Sequence, residues 1–343
     1  MEIISNTMID ILVYLILPIL LVWKLKKSKE ENILENNTTN ILKGFFVIYV
    51  AIHHYVQNLQ QPGILNPLNH VGFICVSFFF LMSGYGLTIS YKKNKNLKYF
   101  FRRRFIRLYF PFVIANILIG VLYNIVLNSK YSIAHILISS FTLRTVYSND
   151  ILWYIFVQIL LYIIFYTSFK IFKEQKYQIS YVFIFIIIYM LYARYFNQGP
   201  WRYNTVMCFF MGIIIAIYKV KIIKFISNNY KQVFVLIGIL FLLSWYLVIN
   251  SVYSYYATFI SAIVFCLFIT IFTYRFKLES KIFRFLGNIS YEIYIVQLPI
   301  VNMVIKIIGI NIISLLIVLF ITVFVSTIAN KLAKSILKKC ELY

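Results

Sequence analysis

Long apolar stretches separated by short polar connections repeat along almost the whole chain. A helix needs about 20 mainly apolar residues to cross the hydrocarbon core of a bilayer. By this rule the pattern predicts eleven spans, at approximately 8–23, 44–60, 72–91, 108–127, 151–169, 178–196, 203–218, 232–250, 254–274, 286–308 and 312–333. The second and tenth are the least regular because they contain His53, His54, Glu292 and Gln297. The predicted fold class is all-α, a polytopic transmembrane helical bundle.

The composition agrees with a membrane protein. Of the 343 residues, 62% are hydrophobic and 13% are charged, whereas soluble domains have roughly half apolar and roughly a quarter charged residues. The net charge of +23 does not indicate a nucleic-acid partner, because the basic residues form short clusters between apolar stretches. A soluble enzyme, a nucleic-acid-binding protein and a disordered chain are therefore excluded.

The distribution of Lys and Arg predicts the orientation of the helices. One set of alternate connections holds 28 of the 33 basic residues, and the connections between them hold five. Basic residues accumulate on the cytoplasmic side of membrane proteins. The N-terminus is therefore predicted outside and the C-terminus in the cytoplasm.

The second predicted span contains the first group of candidate catalytic residues. Ionisable side chains in a span are functional candidates because lipid burial is costly for them. His54 lies roughly 16 Å along the helix from Lys43, toward the outer leaflet. A neutral imidazole accepts a proton from a hydroxyl, which makes His53 and His54 candidate general bases. Adjacent positions are expected to point in different directions, and a pair of packed, hydrogen-bonded histidines is the alternative.

An arginine cluster lies at the cytoplasmic mouth of the fourth predicted span. Arg104 and Arg107 follow Arg103 and are three residues apart, which places them on one helix face, and Pro111 is expected to bend or start the span. The planar guanidinium suits phosphate, so a phosphorylated donor is expected to dock here. Contact with anionic lipids is the alternative.

The remaining candidates are weaker on their own. Glu292 lies about two turns into the tenth predicted span, with Ser290 close by, and hydrogen bonding between helices is as good an explanation as function. Trp153 and Tyr154, near the outer end of their span, are typical of interfacial aromatic residues. The four cysteines have no metal-ligand spacing, so no metal site is predicted.

Five short motifs, taken in order, resemble the acyltransferase-3 family, bacterial membrane enzymes that O-acylate cell-surface glycans. They are Lys43 followed by ten residues and His54, an aromatic stretch ending in Ser83-Gly84-Tyr85, Arg104 through Pro111, Leu152-Trp153-Tyr154, and Leu286 through Tyr294. The resemblance extends from about Leu42 to about Leu332. Many members have His where this chain has Gln297.

The resemblance implies an O-acetyltransferase in the bacterial cytoplasmic (inner) membrane. The donor would be acetyl-CoA or another acyl-CoA, and the acceptor a glycan or lipid-linked oligosaccharide, with membrane lipids as further partners and no nucleic acid or metal. Residues 1–40 would form an anchor span and linker, and 41–343 the acyltransferase domain. The implied site residues are catalytic His54, Lys43 and His53, acyl-CoA-binding Arg104, Arg107 and Arg103, and substrate-binding Trp153, Tyr154, Glu292 and Ser290.

Two other functions fit the same pattern less well. A flippase or transporter of a lipid-linked glycan would use the polar intramembrane residues as a path, but more charge is expected along that path. A membrane glycosyltransferase with a polyprenyl-phosphate donor generally has acidic residues in its first outer loop. Here the loops after the second and fourth predicted spans offer only Asp150.

Overall fold

The fold is a bundle of helices, as predicted. The computed structural model describes residues 2–28, 32–95, 97–145, 152–252 and 254–339, so Asp150 lies outside the described residues. The helices are α1 (Glu2–Ile11), a π-helical turn (Leu12–Ile16), α2 (Leu17–Val22), α3 (Asn36–Val56), a 3₁₀ helix (Gly63–Asn69), α4 (Val71–Asn94), α5 (Phe100–Leu127), α6 (Ile133–Phe141), α7 (Leu152–Ile171), α8 (Gln175–Tyr195), a 3₁₀ turn (Pro200–Arg202), α9 (Met207–Ile217), α10 (Lys219–Ile249), α11 (Ser254–Arg275), α12 (Lys281–Asn288), α13 (Ser290–Ile308) and α14 (Ile312–Lys339). Two short strands, β1 (Lys26–Lys27) and β2 (Phe276–Lys277), pair antiparallel.

Nine of the eleven predicted spans correspond to helical segments that are long and apolar enough to cross a membrane, within the described part of the chain. The first predicted span is a shorter apolar helix, Thr7–Val22. The second is α3, whose polar side chains lower its hydropathy. Most residues of α3 are buried, so this helix is shielded by its neighbours, and Lys43, His53 and His54 are partly buried.

Several helix boundaries differ from the prediction. The fourth span was predicted from residue 108, but α5 begins at Phe100, so the arginine cluster forms its first turns and Pro111 lies inside the helix. The tenth was predicted as one segment from residue 286, but α12 ends at Asn288 and α13 begins at Ser290. Hydropathy does not detect the separate helix α12, because its polar residues resemble those of a connection.

Pro18 explains how the N-terminal helices attach to the core. The amide of Leu17 donates to the carbonyl of Leu12, one residue beyond the α-helical partner. The next carbonyl in this π-helical register, that of Val13, faces Pro18, which has no amide hydrogen. The hydroxyl of Tyr49 in α3 donates to that carbonyl instead, at 2.5 Å. The contact joins the N-terminal helices to α3.

Glycines bring α4 and α9 into direct backbone contact. A Cβ atom at Gly84 would lie 2.0 Å from the carbonyl oxygen of Phe209, and one at Gly212 would lie 2.1 Å from that of Leu81. Small residues allow this close approach between membrane helices. Gly84 and Gly212 therefore allow α4 and α9 to pack closely.

Replacing Gly84 by alanine is expected to lower the free energy of unfolding by about 1–3 kcal/mol, because two rigid backbones must separate. Gly86 is the matched control, since a Cβ atom there meets nothing within 4 Å. Thermal unfolding in detergent compares the two variants with wild type. Equal melting temperatures for G84A and G86A would contradict the proposed backbone contact.

The basic connections meet at one end of the bundle, here called the basic end. Strands β1 and β2 pair there, and Lys26 forms a 2.8 Å ion pair with Glu279. The hydrogen bond from Lys26 lowers the pKa of the Glu279 carboxyl. Lys92 donates to the carbonyl of Ala216 at 3.0 Å. These contacts join connections that the charge distribution assigns to the same side of the membrane.

The opposite end, here called the histidine end, is held together by Tyr55. Its hydroxyl donates to the carbonyl of Asn311 at 2.7 Å and accepts from the amide of Asn311 at 2.8 Å. This pair of bonds joins the last turn of α3 to the start of α14. The turn that carries the two histidines is thereby fixed in place.

Candidate active site

The spacing between Lys43 and His54 places them on one face of α3. Eleven residues make about three helical turns, with a remainder of roughly 20°. Lys43 lines a cavity at the basic end, while Val50 and His54 line a cavity at the histidine end. One stripe along a single helix therefore reaches both cavities, with its two polar side chains about 16 Å apart along the axis.

The cavity at the histidine end, here called the histidine cavity, has a volume of about 590 Å³. Its polar lining includes three imidazoles, those of His53, His54 and His70. Its walls are strongly aromatic, and include Trp153, Trp201, Tyr255 and Tyr294. The cavity thus combines proton acceptors with flat apolar surfaces.

Hydrogen bonds determine which nitrogen of each imidazole is free. Nδ1 of His53 lies 2.8 Å from the carbonyl oxygen of Leu68. A carbonyl can only accept, so Nδ1 carries the hydrogen and Nε2 keeps its lone pair. Nδ1 of His54 lies 2.9 Å from Oε1 of Gln57. With the amide oxygen in this position, His54 also donates through Nδ1 and has a basic Nε2.

The two histidines are closer together than their adjacency in sequence predicts. Their ring centroids are 4.9 Å apart with a tilt of 54°, and both rings line the histidine cavity. Their Cα–Cβ bonds diverge around the helix, but both side chains turn toward the same space beyond the last turn of α3.

His53 packs directly on Gly72. A Cβ atom at residue 72 would lie 2.6 Å from both Nε2 and Cδ2 of His53. Replacing Gly72 by alanine is therefore expected to push this ring from its position beside His54 and to lower kcat about tenfold, since small displacements in an active site are costly. In a His53→Ala background the same change is expected to have no further effect. Kinetics of the two single variants and the double variant test this, and additive losses would show that Gly72 acts elsewhere.

Two cavities at the basic end concentrate positive charge. The arginine cavity, about 160 Å³, is lined by Arg103, Arg104 and Arg107. The lysine cavity, about 640 Å³, is lined by Lys43, Lys93 and Arg284 together with several asparagines. Ser90 lines both cavities, so the two adjoin.

The linings of these adjoining cavities are rich in positive charge. Lys43 and Arg104 are close enough to repel each other electrostatically. No Asp or Glu side chain of the described residues lines either cavity. Like charges at close range are unfavourable, so a polyanionic ligand would relieve the repulsion.

The four predicted substrate-binding residues occupy different places. Trp153 lines the histidine cavity. Tyr154 lies between the rings of Phe80 and Tyr294, with both centroid distances at 5.0 Å.

Glu292 and Ser290 line none of the three cavities. Oε1 of Glu292 accepts from Asn330 of α14 at 2.7 Å, and Ser290 donates to the carbonyl of Gly287 at 3.0 Å. This placement favours helix packing, the alternative stated for them, over contact with substrate. Gln297 is fully buried, and its amide has no hydrogen-bond partner among the described residues.

Several residues of the cavities were not identified from the sequence. Lys93 and Arg284 belong to basic clusters, where they could not be distinguished from topology signals. His70 and Trp201 lie in or beside connections, and only folding brings them to the two candidate histidines. The Lys43–His54 spacing was the one sequence feature that placed residues from both ends of the bundle on the same helix face.

A comparison with protein families supports an assignment. The family model of the acyltransferase-3 acyltransferase domain matches residues 36–331. The match begins where α3 begins and includes all the residues that line the three cavities. It leaves out the N-terminal helices and strand β1. No curated protein and no solved structure matches the chain.

Proposed function

Since the chain belongs to the acyltransferase-3 family, and is therefore a multi-pass membrane acyltransferase, we propose that it O-acetylates a cell-surface or lipid-linked polysaccharide. The donor is cytoplasmic acetyl-CoA. The protein lies in the bacterial inner membrane, with its basic end in the cytoplasm. The histidine cavity faces the outside, where the acceptor glycan is bound.

The observation that carries this proposal is the placement of unlike cavities at opposite ends of the bundle. The basic end has six cationic side chains lining adjoining cavities. The histidine end has three imidazoles and an aromatic wall. A phosphorylated donor made in the cytoplasm and a sugar acceptor outside would each meet suitable chemistry without leaving its own compartment.

The cationic side chains suit the phosphates of coenzyme A. Guanidinium groups bind phosphate oxygens through paired, charge-assisted hydrogen bonds. Arg104 and Arg107, one turn apart on α5, would hold one phosphate group, and Lys43, Lys93 and Arg284 another. Because the two cavities adjoin at Ser90, a single molecule can occupy both.

We assign the general base to His54. Its Nε2 would take the proton of the acceptor hydroxyl while the hydroxyl oxygen attacks the thioester carbonyl. The new C–O bond forms as the C–S bond breaks, and the leaving thiolate of coenzyme A takes the proton from the imidazolium. His53, fixed by Leu68 and packed on Gly72, would position its neighbour.

The lining of the histidine cavity suits a sugar. Asn204 is 4% exposed, and its Oδ1 has no hydrogen-bond partner among the described residues, so a hydroxyl donor would satisfy it. The ring faces of Trp153 and Trp201 offer apolar surface to the C–H face of a pyranose. The family match favours acyl transfer over both the flippase and the glycosyltransferase.

Purified protein in proteoliposomes with radiolabelled acetyl-CoA tests the proposal. An extract of glycans from the source cells supplies the acceptor, and both the release of free coenzyme A and the label on glycan are followed. The proposal predicts equal amounts of both products. Absence of acetyl-CoA binding and of label transfer in wild type would contradict it.

A further inference from the structure

One face of α4 connects the two ends of the bundle. Val76 lines the histidine cavity, and Ser90 lines both cavities of the basic end. Ser83 lies on the same face, seven residues from each, which places it about 10 Å along the helix from either one. Ser83 is half-buried, unlike its fully buried neighbours Leu81 and Phe80. By this spacing, Ser83 lies midway along α4 between the two ends of the bundle.

The same level of the bundle contains a buried amide on α7. Nε2 of Gln158 donates to Oγ of Ser83 at 2.8 Å. Trp153, five residues before it, lines the histidine cavity, and Phe165, seven residues after it, lines the arginine cavity. Gln158 is 2% exposed, and its Oε1 has no hydrogen-bond partner among the described residues.

A buried amide oxygen without a hydrogen bond is unfavourable in this position unless a ligand donates the missing bond. Leaving a buried acceptor without a partner is destabilising, because its hydrogen bonds to water are lost and not replaced. Gln178 on α8 is similarly buried, but its amide donates to the carbonyl of Phe172 at 2.8 Å. Gln158 has a free polar group, and it lies between the cavities assigned to the donor phosphates and to the acceptor.

We propose that the Gln158 side chain, oriented by Ser83, binds an amide of the pantetheine arm of the acyl-CoA donor. This inference rests on the proposed function. The arm links the phosphates to the thioester and contains two secondary amides, each with one N–H and one C=O group. An arm anchored in the basic cavities and directed at the histidine cavity passes the level of Ser83.

The side chain can recognise such an amide in either orientation. In the orientation found in the structure, where Nε2 donates to Ser83, Oε1 would accept from the N–H of the arm. In the flipped orientation Oε1 accepts from Ser83, and Nε2 donates to the C=O of the arm. Tyr154, one turn before Gln158 on α7, packs against Phe80 and against Tyr294, which lines the histidine cavity. The thioester end of the arm would insert among these rings.

Three thioesters of increasing simplicity test the assignment: acetyl-CoA, S-acetyl-N-acetylcysteamine, which keeps one amide, and S-pentyl thioacetate, which has none. Each is assayed for acetyl transfer by wild type and by Gln158→Leu. We expect kcat/KM of the variant to fall about ten- to hundredfold with the CoA thioester, as for an unpaired polar group. The cysteamine thioester, which keeps the amide nearer the thioester, tests that amide separately. With the pentyl thioester, the two proteins are expected to be equally active.

Two further variants keep the test decisive. Ser83→Ala keeps the Gln158 side chain but removes the hydroxyl that orients it. We expect a smaller loss of kcat/KM, confined to the donors that contain an amide. Gln178→Leu is the matched control, and it is expected to affect all three donors equally. Equal losses with all donors in Gln158→Leu and Ser83→Ala would overturn the inference and leave the proposed function intact. Inactivity of wild type with every donor would overturn both.

Discussion

Replacing His54 by alanine is expected to lower kcat for acetyl transfer by about 10²- to 10⁴-fold, the usual contribution of a general base. In the proposed mechanism its Nε2 accepts the proton, on the α3 face that also carries Lys43. Binding of acetyl-CoA is expected to stay unchanged, because the basic cavities lie about three turns away. Transfer kinetics together with acetyl-CoA binding to the same preparation measure both quantities.

His135 offers a matched control for this substitution. It is an exposed residue of the short helix α6 and lines none of the three cavities, so His135→Ala is expected to behave as wild type. The loss of kcat is expected to be smaller in His53→Ala than in His54→Ala, because the role proposed for His53 is to hold the neighbouring ring. A smaller loss of kcat in His54→Ala than in His53→Ala would contradict the assignment of the general base to His54 and would favour His53 in that role.

The double substitution of Arg104 and Arg107 by glutamine is expected to raise the KM for acetyl-CoA by about a hundredfold or more. Each charge-assisted hydrogen bond to a phosphate contributes about 1.5–3 kcal/mol. These side chains do not contact the reacting atoms in the proposed complex, so kcat at saturating donor is expected to change little. Steady-state kinetics over a wide range of donor concentration separate the two parameters.

Arg102 provides the control for charge. It precedes the cluster on the same helix and is exposed, but it does not line the arginine cavity. Arg102→Gln removes one positive charge and is expected to leave KM nearly unchanged. A KM increase of similar size in both variants would mean that overall charge, rather than the arginine cavity, attracts the donor.

The spans could be predicted from the sequence because each crossing requires a long apolar segment. This rule identified the nine segments from α4 to α14 that are apolar enough to cross. It was least informative for α3, which tolerates Lys43, His53 and His54 because other helices surround it. Helix α12 was missed since hydropathy registers neither the break at Ile289 nor an amphipathic helix of eight residues.

The site could be predicted only in part, because an apolar helix gives no indication of which face meets the interior. The charge pattern placed Lys43 and the arginines toward one end of the bundle and the histidines toward the other. It could not show that Glu292 turns toward Asn330, or that Gln158 meets Ser83 across two helices. Contacts between residues distant in sequence depend on packing details such as the glycine contacts of α4 and α9.

Supplying donor and acceptor to opposite faces of the membrane shows whether they bind at opposite ends of the bundle. Proteoliposomes are selected for one orientation, and acetyl-CoA is supplied only to the face with the basic connections. Acceptor glycan is supplied only to the other face. Labelled glycan is expected on the face opposite the donor. Transfer that occurs only when donor and acceptor share one face would contradict it.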